Sequence, residues 1–228
     1  MCAARVSTTL RRAEHAELIG LFFLKGAALG LWFVPLSSVL AAQGLEGLRP
    51  FAFATGSLAA FVSPLLFGAM ADRQASPVKV LRWLALATGV TMALSSTAIR
   101  MGAGNWTILG CIQVHAFCSA PTWSIASTII LARLTDAKKE FGPIRATAAV
   151  GWSDGRMDGG LSVGQGFGAD ESTVAGYGGA MIWLLISGFT FFLPALETSK
   201  AARGLTWKQR LGWDALQLLR DRDHRVVF

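Results

Sequence analysis

Apolar residues along this chain run in long blocks instead of alternating with polar ones. The blocks cover residues 16–42, 51–70, 80–99, 106–134 and 174–196. A bilayer core of ~30 Å needs about 20 apolar residues per helix. Each block meets that length, so the pattern predicts five membrane-spanning helices. A sixth segment, 144–168, begins in the same style and then loses it. The first block is no cleaved leader: a signal core is about 7–15 residues long, whereas this block spans 27 residues with Lys25 inside it. It reads as a retained first helix.

Composition agrees. Of the 228 residues, 53% are hydrophobic, 25 are Gly and only 15% are charged, against about 25% charged in soluble domains. Mean hydropathy is +0.47. These values argue against a disordered chain, a coiled coil, a secreted disulfide scaffold and a soluble enzyme.

The net charge of +7 matters through its placement. Seventeen of the 21 Lys and Arg lie at the N-terminus, in the loops after spans two and four, and in the tail after residue 199. Alternate loops enriched in Lys and Arg are the positive-inside signal. The pattern predicts an inner (cell) membrane protein with both termini in the cytoplasm, and therefore an even number of spans. The charges sit between apolar blocks, not on one soluble face, so nucleic acid is not an expected partner. Lipid is.

An even count requires 144–168 to be a membrane helix or to descend from one. Residues 151–168 contain seven Gly, with Asp154, Arg156 and Asp158 near the middle. Each such charge costs about 2.5–3.5 kcal/mol at a helix centre, so this stretch should not insert alone. Three readings are open. It is a Gly-rich loop; or Asp154 and Asp158, at i,i+4 around Arg156, form a proton or cation site; or the reading frame shifts locally between about Trp152 and Gly168. The third accounts best for a change of character confined to the middle. The fifth helix is therefore expected to be disrupted.

Two stretches carry a family resemblance. Gly68, Asp72 and Arg73, followed by Lys79 and Arg82, resemble the G-x-x-x-D-R-x-G-R-R/K loop of the major facilitator superfamily, although Gln74-Ala75-Ser76-Pro77 replaces its later part. Gly68 permits close helix packing, and Asp72 would end the helix at the cytoplasmic face. Residues 115–152 resemble the nucleoside:proton symporter family within that superfamily. The matching residues are Pro121-Thr122, Asp136, Lys139-Glu140-Phe141-Gly142, Ile144-Arg145 and Gly151-Trp152. Gly30, Trp32, Phe33 and Pro35 fit the family's first helix. The resemblance implies an all-α membrane protein, the N-terminal six-helix half of a twelve-helix fold. It implies import of a nucleoside-like molecule with protons, by alternating access between two halves. It also places Arg145 at the start of helix five, lining the nucleoside site. The family usually has Thr four residues later; here Ala149 stands there, with Thr147 two positions earlier.

Other candidates come from residue type and place. Lys25 in span one could contact substrate or a carboxylate, or snorkel. Gln113 and His115 in span four could bind a sugar hydroxyl or a base edge, or bond to a neighbouring helix. Trp32 and Phe33 could stack on a base or serve packing. Gly26 and Gly30 suit helix packing. Cys2, Cys111 and Cys118 show no metal spacing, and no metal or other cofactor is expected. Nor is enzyme chemistry: no phosphate loop, nucleophile elbow or zinc-helix pattern occurs.

Residues 1–199 thus read as a six-helix half. Residues 200–225 read as a basic amphipathic linker, with Leu205, Gly212, Leu216 and Leu219 on one face. Residues 226–228 read as the start of a truncated seventh helix. The expected function is that of a transporter fragment; the alternatives are another superfamily transporter, for sugars or drugs, or a non-transporting remnant or scaffold.

Overall fold

A computed structural model describes residues 2–73, 76–156 and 173–194. The central Gly-rich residues 157–172 lie outside the described set, as do the segments expected as linker and seventh helix. The described residues form helices: α1 (Cys2–Ala42), a short 3-10 turn (Glu46–Leu48), α2 (Arg49–Arg73), α3 (Pro77–Arg100), α4 (Asn105–Ser119), α5 (Pro121–Leu131), α6 (Ala137–Arg156) and α7 (Val174–Phe189).

The expected blocks recur with two differences. The fourth span is split. Ala120 keeps helical angles (φ −55°, ψ −47°), and its N–H donates to the Ala116 carbonyl at 3.0 Å. Pro121 has no N–H to continue the ladder, so α4 and α5 form one interrupted rod. The doubtful fifth span is helical at least to Arg156, so its first half, before most of the glycines, does fold as a helix. His15–Ala42, Pro77–Arg100 and Asn105–Leu131 are long and apolar enough to cross a membrane; Val174–Phe189 is apolar but shorter.

Helix ends follow local chemistry. Gly44 (φ +69°) and Gly102 (φ +61°) adopt the left-handed conformation that ends α1 and α3. Leu45 N–H reaches back to Leu40 O at 2.7 Å and Ala103 N–H to Ala98 O at 3.0 Å, the paired-carbonyl closure that Gly makes possible. Pro77 opens α3, where a missing N–H costs nothing. At the start of α6, Asp136 accepts the Lys139 N–H at 3.3 Å. Glu140 accepts the Thr135 N–H at 3.2 Å and lies 3.7 Å from His15 of α1. The acidic loop residues therefore cap α6 and tie it to α1.

α3 carries Ser and Thr without exposing their hydroxyls to lipid. Thr88, Ser95 and Ser96 donate to the carbonyls four residues back at 2.6, 2.8 and 3.0 Å, as a helix in an apolar medium requires. Trp83 and Trp106 are 68% and 87% exposed. They stand near opposite ends of the α3–α4 hairpin, where indoles favour the two membrane interfaces.

Helix directions follow from contacts. α1 and α6 run parallel, since His15 meets Glu140 and Gly26 meets Ala148. α3 and α7 run antiparallel: Ser96 abuts Gly176, whereas Arg82 reaches Thr190. α7 also runs against α1, with Gly179 on the Ala28 carbonyl. The end of α7 therefore lies on the side where α1, α3 and α6 begin. Arg82 donates there to Thr190 Oγ1 at 3.1 Å and Thr190 O at 3.0 Å, with its guanidinium 3.6 Å above the Phe191 ring. Arg133 donates to Pro194 O at 2.7 Å. Arg82 thus holds the carbonyl-rich end of α7, as the helix dipole favours, and Arg133 holds the chain beyond it at Pro194. Arg82→Ala should cost about 1–3 kcal/mol for bonds from a charged group and lower the melting temperature in detergent. Arg82→Lys should recover part of that loss. A melting curve unchanged in R82A would show that the clamp carries no stability.

Candidate functional site

The cleft of interest lies along the α1–α6 seam. Gly26 of α1 approaches so closely that an added Cβ would collide with the Ala148 carbonyl, and a Cβ on Gly151 would collide with the Phe23 carbonyl. With no side chains between them, the two backbones touch. Beside this contact opens a cleft of about 500 Å³ lined by Gly26, Trp123, Arg145, Ala148, Ala149 and Trp152. The floor is backbone and methyl, two indoles form the walls, and one guanidinium supplies the charge. Such a space can stack a planar ring and hydrogen-bond its polar edge.

Each wall is held from behind. The Trp123 ring meets Phe22 edge-on, with centroids 5.4 Å apart. The Trp152 ring stacks on Phe33 at 6.1 Å and 29°. Arg145 is exposed, one residue after the buried Ile144, so the periodicity of α6 sends its side chain outward on the cleft side. The Thr147 hydroxyl donates to Ile144 O at 2.6 Å and lies 3.3 Å from Ile19 O of α1. Thr147 is thus engaged at the seam, and Ala149 is the residue that lines the cleft.

The other predicted residues are distributed more widely. Lys25 is fully buried. Its Nζ donates to Thr122 Oγ1 at 2.7 Å and lies 5.1 Å from the Trp123 ring centre and 5.2 Å from that of Trp183. Phe33 supports Trp152 and also approaches Phe53 at 6.5 Å. Trp32 and His115 meet edge-on in the core at 5.0 Å, away from the cleft lining. His115 Nδ1 lies 3.3 Å from Thr88 O, while its Nε2 and the Gln113 Oε1 are buried with no hydrogen-bond partner among the described residues. Gly68, Asp72 and Arg73 fall in the last turns of α2; their side chains lie outside the described residues, as do those of Asp154, Arg156 and Asp158. Among the described residues no group of three or more His, Cys, Asp or Glu could hold a metal.

The family resemblance singles out Arg145, but neither it nor the residue-by-residue reading marks Trp123 and Trp152 as a pair. Trp123 and Trp152 are 29 positions apart, and only the meeting of α5 and α6 beside α1 makes them a pair. Their one sequence signal is position: each follows a small or hydroxylated residue of the motif, Thr122 and Gly151.

Comparisons with known proteins agree with this architecture. The chain is 31% identical over 223 residues to YegT of Escherichia coli (strain K12), a candidate nucleoside transporter, covering 93% of this chain and 50% of that protein. It superposes on a crystal structure of a mutant of the nucleoside transporter NupG with a TM-score of 0.77 and 24% identity, over 91% of this chain and 51% of that one. A second NupG crystal structure gives 0.71 and 23%, over 93% and 52%. At such identities the likeness carries the fold. The chain spans about half the length of the relatives it matches. The family profile described as Nucleoside H+ symporter matches residues 14–228, and this chain therefore belongs to the nucleoside H+ symporter family of membrane transporters.

Proposed function

We propose that this chain supplies one wall of a nucleoside site in a proton-coupled transporter, and that the cleft between α5 and α6 is that wall. The observation that carries the reading is the pairing of Trp123 and Trp152 with Arg145 in one open cleft of about 500 Å³. Indoles stack on base rings of any sequence, and a guanidinium donates to base or ribose oxygens. Coupling to protons is supported by the family to which the chain belongs. The wall would close against a second set of six helices, because superfamily transporters hold substrate between two halves that rock about it.

We place both termini in the cytoplasm and the protein in the inner membrane. The basic N-terminus and loops support this, as does the return of α7 to the side on which α1 begins. Residues 200–225 would lie along the cytoplasmic interface as an amphipathic linker.

The test is equilibrium binding of labelled adenosine, in lipid nanodiscs, to the full-length transporter in which this chain would form that wall. Wild type should bind, with excess unlabelled uridine competing and excess glucose failing to compete. Arg145→Ala should weaken binding roughly ten- to hundred-fold, for bonds worth about 1.5–3 kcal/mol. Competition by glucose but not uridine would instead make this a sugar site.

A further inference from the structure

We propose that Lys25 is a positioning residue: by its N–H groups, in either protonation state, it fixes the stance of the Trp123 indole and so the face that the cleft offers to a base. This rests on the reading of the cleft as a nucleoside wall. Thr122 and Trp123 follow directly on Pro121, where the ladder of the α4–α5 rod is interrupted. The rod is least constrained there, because Pro donates no bond back along it. Thr122 Oγ1 donates its own hydrogen to Ser119 O at 2.6 Å, across the break. With that hydrogen committed, the hydroxyl can only accept from Lys25 Nζ, 2.7 Å away. A neutral amine and an ammonium both have an N–H to give, so the bond runs the same way for either.

The same nitrogen reaches the wall itself. Nζ lies over the Trp123 and Trp183 rings, 5.1 and 5.2 Å from their centres, and N–H groups are attracted to an indole face whether charged or neutral. One atom thus ties α1 to α7 and to two consecutive residues of α5. Phe22, one turn before Lys25 on the same face of α1, meets the Trp123 ring edge-on at 5.4 Å. The indole is therefore gripped from α1 at two points. Lys25 has no exposed surface and does not line the cleft, so it acts on a ligand through Trp123. An apolar side chain could fill its space, but dispersion contacts have no preferred direction. A hydrogen bond has both length and angle, and a satisfied buried polar contact selects one arrangement of its surroundings. That accounts for an amine in the middle of an apolar helix: it orders the wall where the rod is interrupted.

The test uses the full-length transporter in nanodiscs, labelled with 5-fluorotryptophan and read by fluorine NMR alongside adenosine binding. The Trp123 line is the one that Trp123→Phe removes. In wild type it should be single and narrow, and should move when adenosine saturates. In Lys25→Met it should shift and broaden or split, and adenosine should bind roughly three- to tenfold more weakly, part of the stacking contribution of one base. Lys25→Gln keeps an N–H for Thr122 and carries no charge, so it should restore a single line and most of the affinity. Thr122→Val removes the acceptor but keeps the shape. It should displace the Trp123 line as K25M does, and it carries the test should K25M fail to fold. An adenosine affinity unchanged in folded K25M or T122V, or a Trp123 line unmoved by them, overturns the positioning role and leaves the nucleoside wall standing. Absence of adenosine binding to wild type overturns the wall itself, whatever the Trp123 line shows.

Discussion

Gly26→Ala should destabilise the protein by about 1–3 kcal/mol or more, in the range of overpacking a filled core. The added methyl would meet the Ala148 carbonyl, which is backbone. A rotamer change cannot relieve that collision; α1 and α6 must separate. Gly151→Ala should act in the same way through the Phe23 carbonyl. The two contacts share one seam, so the double variant should cost less than the sum of the singles: once the seam has opened, the second methyl finds space. Gly26→Leu should yield no monodisperse protein. The measurements are thermal unfolding and size-exclusion behaviour in mild detergent. A G26A variant with wild-type melting would mean that these helices do not touch backbone to backbone. A Gly20→Ala control should be harmless, since its Cβ would meet nothing within 4 Å.

Trp123→Ala is the second large effect, and it has two parts. Loss of a stacking surface costs about 1–3 kcal/mol per base, so adenosine should bind roughly five- to hundred-fold more weakly. The same change removes the ring that packs on Phe22 and faces Lys25 Nζ, which should cost stability as well. Trp123→Phe separates the parts. It keeps a π-face on both sides, so most of the stability should return while binding stays several-fold weaker for want of the larger ring. Binding isotherms and melting curves on the same samples read the two effects independently. Full-strength adenosine binding in folded W123A would exclude the indole as a stacking surface.

Much of the fold was legible because its signal is one-dimensional. A 27-residue block whose only charges are Glu17 and Lys25 suits a helix in lipid and little else. The D-x-x-K-E-F-G loop could be placed because its residues act locally: Asp136 caps α6 and Glu140 latches the loop onto its own backbone. The break at Pro121 was visible as a proline but not as a divided rod, since Ala120 keeps the helix continuous in direction. The candidate site was less legible. Arg145 was found through the motif, yet Trp123 and Trp152 emerge as walls only when α5 and α6 are brought beside α1. Hydrophobic periodicity marks which helix face is apolar. In a membrane protein both the lipid and the core are apolar, so it cannot tell an indole facing a cleft from one facing lipid. For the same reason Gln113 and His115 looked equivalent to Arg145, although the cleft is lined without them.

The Lys25–Thr122 bond joins positions 97 residues apart, and that spacing is also an interval of time. Chains are synthesised at about 5–20 residues per second, so the first helix waits roughly 5–20 s before its hydroxyl partner leaves the ribosome. The α6 backbone that covers Gly26 emerges later still. Throughout that wait Lys25 sits in a nascent helix without Thr122, Trp123 or Trp183 around it, in a segment where a charged Lys costs about 2.5–3.5 kcal/mol. The apolar remainder of α1 must carry it into the bilayer unaided, or the insertion machinery must shelter it. Biogenesis, and not only the finished bundle, therefore sets how polar that first helix can be.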